Sequence, residues 1–555
     1  MPKLVNRRIR LLLLLLLSAF ALLLARAAWI QAVRASSFGR LAQAQHRETE
    51  VLPAGRGTIF DSMGVQLALG EQATTVYANP RQIRNPRAVA VAAGRALGVP
   101  PARLLPALSD RKLGFVYVAR KADPARAAAL AKRRIPGLGF YPEERRAYPQ
   151  HTVASQVLGF AGVDNRGLSG LELQYDPALS GTPGSETYLR DPFGRVIDVV
   201  HQVPARPGRD VYVTIDHTIQ ANAEQVLRQT VAKWGAKDAT AIVLDPRNGD
   251  VLAMAVQPGF DDNRFGSVSP EVQKNRTVTD VYEPGSVFKV VTVAGALSDG
   301  LVAPSTSFTL PYSIQVADRV VHDAEPRGTE TMTVAQILAR SSNVGAVTLA
   351  EKLGKDRLLG WIRRFGFGRR TGIDFPGESA GLLPGYWSGS TIGNVPIGQG
   401  VSVTPIQLAS VYAAIANGGV WTRPHLLDHV QGSPPPALVR RRVVSPAIDR
   451  ELMAMLRGVV SDTGTGAAAA IPGFTVAGKT GTAQKPDPHG GYAPGKYEAS
   501  FVGMVPASNP RLVVLVTVDE PRLAIFGGVV AAPAFQQIAS FDLHYLEIPP
   551  DAPTG

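Results

Sequence analysis

Three short blocks of the chain carry the side chains that acyl-transfer chemistry requires. They are Ser286-Val287-Phe288-Lys289, Ser341-Ser342-Asn343 and Lys479-Thr480-Gly481-Thr482. Each block alone is common in a chain of 555 residues, but here all three occur in order and in plausible local contexts. Together they predict a serine nucleophile that works with lysine, rather than histidine, as the proton acceptor.

The first block lies at the predicted start of a helix. Glu283-Pro284-Gly285 is typical of a loop, and the residues from Val287 onward are apolar with helical spacing. Lys289 would then lie one turn from Ser286 on the same face, within reach of its hydroxyl group. A lysine amine accepts a proton only if its pKa is lowered, by burial or by a second cation such as Lys479. The helix N-terminus also favours the negative charge that develops during acylation.

The second block is predicted to be a polar turn between two helices. Thr333 to Gln336 fits a capping box for the preceding helix, and Val344 to Leu353 continues as another helix. Such a turn can present two groups to a cleft. The Ser341 hydroxyl group would relay protons, and the Asn343 amide would fix the amide of a substrate.

The third block is predicted to lie on an edge strand. Alternation places Lys479 and Gly481 on one face, where a glycine lets a substrate backbone approach closely. Thr480 and Thr482 can bind a carboxylate. The backbone N–H groups of Thr482 and Ser286 can form an oxyanion hole, in which one donor is typically worth ~3 kcal/mol.

The third block also overlaps a nucleotide-binding pattern. Gly473 to Thr480 matches G-x-x-x-x-G-K-[ST], and Thr240 to Asp245 resembles the strand that would hold magnesium. A P-loop must lead directly into a helix whose N-terminus holds phosphate. Residues 481–491 contain two prolines and three glycines and cannot form that helix. We therefore interpret the match as a coincidence.

The composition indicates a globular protein that meets anionic surfaces. The net charge of +13 favours phospholipid headgroups or an acidic cell-wall polymer. No interleaving of aromatic and basic residues points to nucleic acid, so no nucleic-acid partner is predicted. Cysteine is absent, and the nine histidines show no metal-ligand spacing. We predict neither a metal nor another cofactor.

The N-terminal segment predicts an exported protein. Basic residues precede an uncharged run from Leu11 to Ala25, and Trp29 suits the aromatic belt of a membrane. A membrane-spanning helix needs ~20 residues. We predict a cytoplasmic tail over residues 1–10 and an uncleaved transmembrane signal anchor over residues 11–31. The alternative is a cleaved signal peptide, because Ala25-Arg26-Ala27 resembles a cleavage site.

Two further domains are predicted. Residues 35–205 are mixed and loop-rich, with helical spacing over Pro101 to Ala131, and carry no catalytic spacing, which is typical of a scaffold or docking module. Residues 209–548 combine strands at both ends with a long helical middle, which predicts one α+β domain with a sheet assembled from distant segments. The predicted elements are strands 210–215, 240–245, 251–256, 499–505 and 512–518, a helix capped by Asp216, and a helix over 531–545.

With these blocks in place, the chain resembles a class B penicillin-binding protein, a peptidoglycan DD-transpeptidase of the penicilloyl-serine transferase superfamily. Glu283, with Thr279-Asp280 upstream, is more similar to the division-type, FtsI-like branch than to the elongation branch. Ser62-Met63 departs from the Arg-Asn that is common there, which affects no catalytic role. The resemblance also rests on short motifs at residues 56–61, 146–149 and 170–172 in the pedestal, and at residues 245–249, 281–286 and 398–405 in the catalytic domain.

The resemblance implies a β-lactamase-like domain with an antiparallel sheet, preceded by an elongated mixed α/β pedestal and an N-terminal transmembrane helix. It implies that Ser286 attacks a stem pentapeptide with release of D-Ala, and that Lys289 is the base. Ser341 would relay protons toward Lys479, and Asn343 would anchor the substrate amide. Lys479, Thr480 and Thr482 would hold the substrate carboxylate, beside Gly481.

The resemblance also implies partners. β-Lactams would acylate Ser286 as mimics of the donor peptide. No glycosyltransferase domain is visible in the sequence, so a membrane-embedded glycosyltransferase of the shape, elongation, division and sporulation class is expected, together with other divisome proteins. Three alternatives remain open: an elongation-type transpeptidase, a β-lactam sensor or hydrolase with the same serine-lysine site, and a non-catalytic divisome scaffold.

Overall fold

The computed structural model describes residues 2–34, 47–190 and 196–553. Helix α1, Pro2–Ala32, contains an 18-residue window with a mean hydropathy of 2.5. The helix is long and apolar enough to cross a membrane. The predicted start of the pedestal, residues 35–46, lies outside the described residues.

The chain divides into two compact units. One comprises the residues up to Gly55 together with Gly181–Gly208, and the other comprises Arg56–Ser180 and Arg209–Gly555. The first unit contains an antiparallel sheet in which the central strand joins chain segments more than a hundred residues apart, as the register Thr49↔Thr187 shows. Its strands are β1 (Arg47–Leu52), β6 (Gly184–Arg190) and β7 (Val196–Val203).

A six-stranded sheet in the second unit joins residues 56–180 to later parts of the chain. Its strands are β2 (Ile59–Phe60), β3 (Gln66–Ala78), β4 (Val116–Ala122), β5 (Leu138–Ala147), β8 (Val211–Val213) and β16 (Leu427–Val430). The order is β16-β8-β2-β3-β4, with β5 also paired to β3. Strand β16 lies more than two hundred residues after its partner β8 in the sequence. This sheet could therefore not be predicted from segments that are neighbours in the sequence.

Helical spacing over Pro101 to Ala131 is only partly matched by the structure. Two helices form there, and strand β4 separates them because Val116, Tyr117 and Val118 favour extended backbone. The second helix begins where the Asp123 side chain accepts a hydrogen bond from the backbone. The short helices of this region are α2 (Pro86–Leu97), α3 (Pro101–Ser109), α4 (Pro124–Ala131), α5 (Ser155–Leu158), α6 (Gly170–Gln174) and α7 (Asp176–Leu179).

The later part of the second unit is built on a five-stranded antiparallel sheet. Its strands are β9 (Asp238–Leu244), β10 (Val251–Gln257), β18 (Ala477–Pro486), β19 (Tyr492–Val505) and β20 (Leu512–Asp519), in the order β10-β9-β20-β19-β18. The predicted hairpin, strand pair and edge strand are all present. Because the side-chain period of a strand is two, Val514 and Val516 face one hydrophobic cluster while Val513 and Leu515 face another.

Helices cover both faces of this sheet. The face that bears Val514 and Val516 packs against α8 (His217–Trp234) and against the C-terminal α19 (Ala532–Tyr545). Asp216 caps α8 as predicted. The second face packs against the helical middle of the chain. That middle contains α9 (Pro270–Gln273), α10 (Arg276–Thr279), α11 (Lys289–Ser298), α12 (Val334–Ala339), α13 (Asn343–Leu353), α14 (Lys355–Phe365), α15 (Thr391–Asn394), α16 (Pro405–Ala416) and α17 (Pro446–Arg457), with α18 (Gly527–Val530) near the end of the chain.

Short two-stranded sheets complete the helical middle. Strands β12 and β13 form a hairpin close to the second predicted block, and β11 pairs with β14. The strands are β11 (Ser307–Leu310), β12 (Ser313–Val316), β13 (Arg319–His322), β14 (Glu330–Thr333), β15 (Val420–Thr422) and β17 (Arg440–Arg442).

A buried ionic cluster stabilises the part of the second unit that precedes the five-stranded sheet. Glu172 is fully buried and accepts hydrogen bonds from Arg56 Nε at 2.8 Å and Arg146 Nε at 2.6 Å. The Arg146 guanidinium also donates to the Gly57 carbonyl at 2.7 Å. Buried charges are tolerated only when they are paired and hydrogen-bonded, and this cluster ties together three segments that are distant in sequence.

We expect Glu172→Ala to destabilise the protein strongly, because it leaves the buried Arg146 guanidinium without a counter-charge and leaves Arg56 with only Asp176. The loss should be about 3–5 kcal/mol. The control is Glu71→Ala, which removes an exposed pair with Arg145 and should change stability by less than about 1 kcal/mol. Thermal unfolding of both variants beside the wild type measures the difference. Equal melting temperatures for the two variants would show that the buried cluster around Glu172 does not stabilise the protein more than an exposed ion pair does.

Candidate active site

The predicted nucleophile lies in a tight turn that leads into a buried helix. Ser286 is half-buried within the 3-10 turn Gly285–Phe288, which continues directly into α11. Gly285 has a φ of +59°, and its backbone N–H donates to the Gly398 carbonyl at 3.1 Å. On the other side, the Tyr412 hydroxyl group donates to the Val287 carbonyl at 2.8 Å. Hydrogen bonds to the backbone of Gly285 and Val287 therefore fix the turn on both sides of the serine.

The second block meets the first through Lys289. The buried Lys289 amine donates to Asn343 Oδ1 at 2.7 Å, to Ser341 Oγ at 3.2 Å and to the Ser341 carbonyl. Ser341 has a φ of +59°, a left-handed conformation that non-glycine residues seldom adopt. This conformation lets both the carbonyl and the side chain of one residue face the same amine.

The third block meets the second through Lys479. The fully buried Lys479 amine donates to Ser341 Oγ at 2.9 Å and to the Thr480 carbonyl at 3.2 Å. The Ser341 hydroxyl group is thus bonded to both lysine amines. The structure therefore brings Lys289, Ser341, Asn343 and Lys479 together as predicted from the sequence.

Strand β18 also carries the other predicted residues next to the nucleophile turn. A Cβ atom on Gly285 would lie 2.9 Å from the Thr482 carbonyl oxygen, so the Thr482 backbone adjoins the residue that precedes Ser286. At Gly481, a Cβ atom would lie 2.3 Å from Ser500 Oγ and 3.0 Å from the Pro284 carbonyl oxygen. Only glycine allows the strand and the turn to approach this closely.

Burial makes the two lysines unusual bases. It lowers the pKa of Lys289 to about 7, although the negative charge of Asp323 acts in the opposite direction. Burial, followed by the positive charge of Lys289, lowers the pKa of Lys479 well below its usual range. Of the two causes expected from the sequence, burial lowers the pKa of Lys289, whereas the nearby cation lowers that of Lys479 instead. A substantial fraction of Lys289 is then neutral near pH 7 and able to accept a proton.

The Ser286 hydroxyl group has no hydrogen-bond partner within the described part of the chain. The Lys289 amine instead bonds the second block. Catalytic hydrogen bonds are often loose without substrate and tighten in the reacting complex. The arrangement suits a nucleophile that engages its base when a substrate enters.

Several supporting residues were missed from the sequence. Asp323 accepts hydrogen bonds from Ser342 Oγ at 3.0 Å and from the Val344 N–H at 3.0 Å, and it pairs with Arg327. It therefore fixes the second block as well as acting on Lys289. It follows strand β13, and no local pattern in its vicinity indicates that the hairpin folds back onto the site.

The two threonines of the third block are held by residues that sequence reasoning did not single out. Thr480 Oγ1 lies 2.7 Å from Thr465 Oγ1, and Thr482 Oγ1 accepts a hydrogen bond from the Gly527 N–H at 3.1 Å. Gly527 packs against the edge strand so closely that a Cβ atom there would lie 2.3 Å from the Gly481 carbonyl oxygen.

The nucleotide-binding alternative is wrong in structural terms. Gly473 to Thr480 leads into strand β18, which runs on to Pro486, rather than into a helix. Backbone N–H groups are therefore not gathered at a helix N-terminus, as phosphate binding by a P-loop requires. Among the described residues, no cluster of three or more potential ligands could hold a metal ion.

The site and the fold both match one known family. The penicillin binding protein transpeptidase domain matches residues 239–540, and the penicillin-binding protein dimerisation domain matches residues 51–213. Penicillin-binding protein PbpB of Mycolicibacterium smegmatis is 36% identical over 572 residues, covering 94% of this chain and 88% of that protein. Peptidoglycan D,D-transpeptidase FtsI of Escherichia coli is 34% identical over 97% of this chain and 92% of its own length.

A solved structure agrees. The crystal structure of penicillin binding protein 3 from Mycobacterium tuberculosis, complexed with aztreonam, has a TM-score of 0.71 and 32% identity, over 91% of this chain and 99% of that one. The chain therefore belongs to the penicillin-binding proteins with a transpeptidase domain. Within them it is a class B protein of the FtsI-like branch, which confirms the resemblance.

We expect a direct titration to find the pKa of Lys289 near 7, and Asp323→Asn to lower it further. The carboxylate stabilises the charged amine, so its removal favours the neutral form. Carbon-13 NMR of protein labelled at lysine Cε measures the titration, with Lys289→Arg assigning the signal. The control Asp299→Asn, which removes a carboxylate at the far end of α11, should leave the midpoint unchanged. A Lys289 midpoint near 10 would refute the assignment.

Proposed function

We propose that the protein is a peptidoglycan D,D-transpeptidase that crosslinks stem peptides through an acyl-enzyme on Ser286. One observation carries the proposal: the Ser341 hydroxyl group accepts hydrogen bonds from both buried lysine amines, beside the turn that holds Ser286. Such a chain of groups can move a proton away from the serine and deliver it to a leaving amine.

In the acylation step, Ser286 Oγ attacks the carbonyl carbon of the penultimate D-Ala of a stem pentapeptide. Neutral Lys289 takes the hydroxyl proton as the C–O bond forms. The C–N bond then breaks, and the departing D-Ala nitrogen receives a proton relayed through Ser341 from the lysine pair. The backbone N–H groups of Ser286 and Thr482 would stabilise the tetrahedral oxyanion. The products are an ester on Ser286 and free D-Ala.

In the second step, an amine from a neighbouring stem peptide attacks the ester carbonyl. The amine loses its proton to the same lysine–serine relay, and Ser286 recovers a proton as the C–O bond breaks. The new amide is the crosslink. No oxidant, metal or cofactor enters this balance.

Substrate binding is assigned to the edge strand and the second block. Lys479, Thr480 and Thr482 would hold the terminal carboxylate of the donor, and Gly481 lets the donor backbone lie against β18. Lys289 donates to Asn343 Oδ1, and Asn343 Nδ2 donates one hydrogen bond to the His322 carbonyl at 2.9 Å, so the side chain is fixed in place. The second Nδ2 hydrogen would anchor the donor amide. β-Lactams would acylate Ser286 as mimics of the donor.

The likeness to FtsI and PbpB supports septal wall synthesis as the biological setting. We place the N-terminus in the cytoplasm, α1 in the inner membrane and the catalytic domain outside it, because basic residues precede the apolar stretch. A pedestal over residues 35–205 and a transpeptidase domain over residues 209–548 complete the proposed organisation. A membrane-embedded glycosyltransferase and other divisome proteins are the proposed partners.

We expect fluorescent penicillin to form one long-lived covalent adduct with the purified protein. Ser286→Ala should abolish the adduct, because the variant lacks the nucleophile, whereas Ser298→Ala, at the other end of α11, should retain it. Gel fluorescence over several hours measures both labelling and turnover. Rapid loss of the label would favour a hydrolase. Persistent labelling of Ser286→Ala would exclude this serine as the nucleophile.

The absence of cysteine from the chain makes the membrane orientation directly testable. A single Asn6→Cys substitution should resist a membrane-impermeant maleimide in intact spheroplasts, since the proposed tail is cytoplasmic. Gln229→Cys, on an exposed position of α8, should be labelled. Reversed labelling of the two variants would contradict the orientation.

A further inference from the structure

A cleft whose lining includes none of the active-site residues lies beside helix α16. Its volume is about 280 Å³. Its walls include Arg369 and Arg370 from the loop after α14, Arg441 from β17, Trp421 from β15 and Gln407 from α16. We call the cleft defined by these five residues the arginine cleft. It brings together chain segments that are more than seventy residues apart.

The central cation of the arginine cleft is held rigidly. The Arg441 guanidinium donates to the Phe365 carbonyl at 3.2 Å and to the Arg364 carbonyl, both at the C-terminal end of α14. It also lies over the Trp421 ring, 4.7 Å from its centroid. Helix carbonyls and an aromatic face are favourable neighbours for a cation. Arg441 is therefore presented in a fixed orientation.

Positive charge is concentrated here without a direct ion pair among the described residues. Within residues 2–34, 47–190 and 196–553, no ion pair involves Arg364, Arg369, Arg370 or Arg441. Burial and the charges of Arg369 and Arg364 lower the pKa of Arg441 to about 10. Glu378, on the same loop, accepts hydrogen bonds from the backbone and hydroxyl donors of Thr371 and Gly372 and forms no ion pair with these arginines. Clustered like charges repel one another, and a bound anion would offset this repulsion.

We propose that the arginine cleft binds a phosphate-bearing anion. Arg369 and Arg370 are exposed and have no described side-chain hydrogen bond, so their guanidinium donors are free for a ligand. Planar guanidinium groups match phosphate oxygens with paired hydrogen bonds. Three cations around one cleft suit a dianion or polyanion better than a single carboxylate.

The uncharged polar groups of the cleft, on Gln407 and Ser410, already donate to other parts of the protein, so the arginines are the donors left for a ligand. Gln407 Nε2 already donates to the Arg369 and Ala380 carbonyls at 2.8 and 2.9 Å. The Ser410 hydroxyl group donates to the Ile406 carbonyl at 2.7 Å. These groups fix the shape of the cleft and are not available to donate to a ligand. The site goes beyond the transpeptidase function and does not depend on it.

The test is calorimetric titration of the full-length protein in detergent with sodium pyrophosphate at low ionic strength. The wild type should bind at one saturable site. The double variant Arg369→Gln/Arg370→Gln should weaken binding about tenfold or more, because it removes two charge-assisted donors. The control Arg133→Gln/Arg134→Gln makes the same charge change at another exposed arginine pair and should bind within about twofold of the wild type.

Equal weakening in the two double variants would overturn the proposal, since it would indicate general electrostatic attraction. Tighter binding of citrate than of pyrophosphate would overturn it in favour of carboxylates. Among phosphate probes, a preference for glycerophosphoglycerol would assign the ligand to phosphodiester headgroups or polymers, and a preference for pyrophosphate would assign it to a diphosphate. Penicillin labelling of Ser286 should be unchanged in both double variants, so a failure here is separable from a failure of the transpeptidase function.

Discussion

Two lysine amines, those of Lys289 and Lys479, are buried within hydrogen-bonding distance of one hydroxyl group, that of Ser341. Burying a charged amine costs several kcal/mol even after the protein relaxes. The structure offsets this cost with oxygen acceptors, of which Asn343 Oδ1 and the Thr480 carbonyl are two. It also shifts both amines toward the neutral form. The same burial that is costly for stability supplies the base that the chemistry needs.

This arrangement depends on a rigid frame, because the three contributing segments are far apart in the sequence. The turn that leads into α11 carries Ser286, the turn before α13 carries Ser341, and the edge strand β18 carries Lys479. Bringing such distant segments together costs loop-closure entropy. The two hydrophobic clusters on either face of the five-stranded sheet supply the stabilisation that holds them. Close glycine contacts at Gly285 and Gly481 then set the distance between turn and strand.

The arginine cleft shows the opposite treatment of charge. In the active site the cations are buried and surrounded by oxygen acceptors, whereas Arg369 and Arg370 remain exposed and unpaired among the described residues. Helix α16 takes part in both environments: Gln407 borders the cleft, and Tyr412 holds the nucleophile turn through the Val287 carbonyl. The two regions thus share one helix while handling positive charge by different physical means.

The sequence by itself determined the elements whose rules are local. The spacing of Ser286 and Lys289 follows from helix geometry, the cap at Asp216 from side-chain chemistry, and the hairpin of β9 and β10 from its turn residues. The order of the three blocks was enough to indicate the family and the chemistry. What depends on chain segments meeting in space was decided only by the tertiary structure. Asp323 reaches the second block through a hairpin, and strand β16 joins a sheet formed mainly by residues 59–147. No local sequence pattern predicts either position. Each depends on packing against other elements, which for β16 lie about two hundred residues or more away in the sequence.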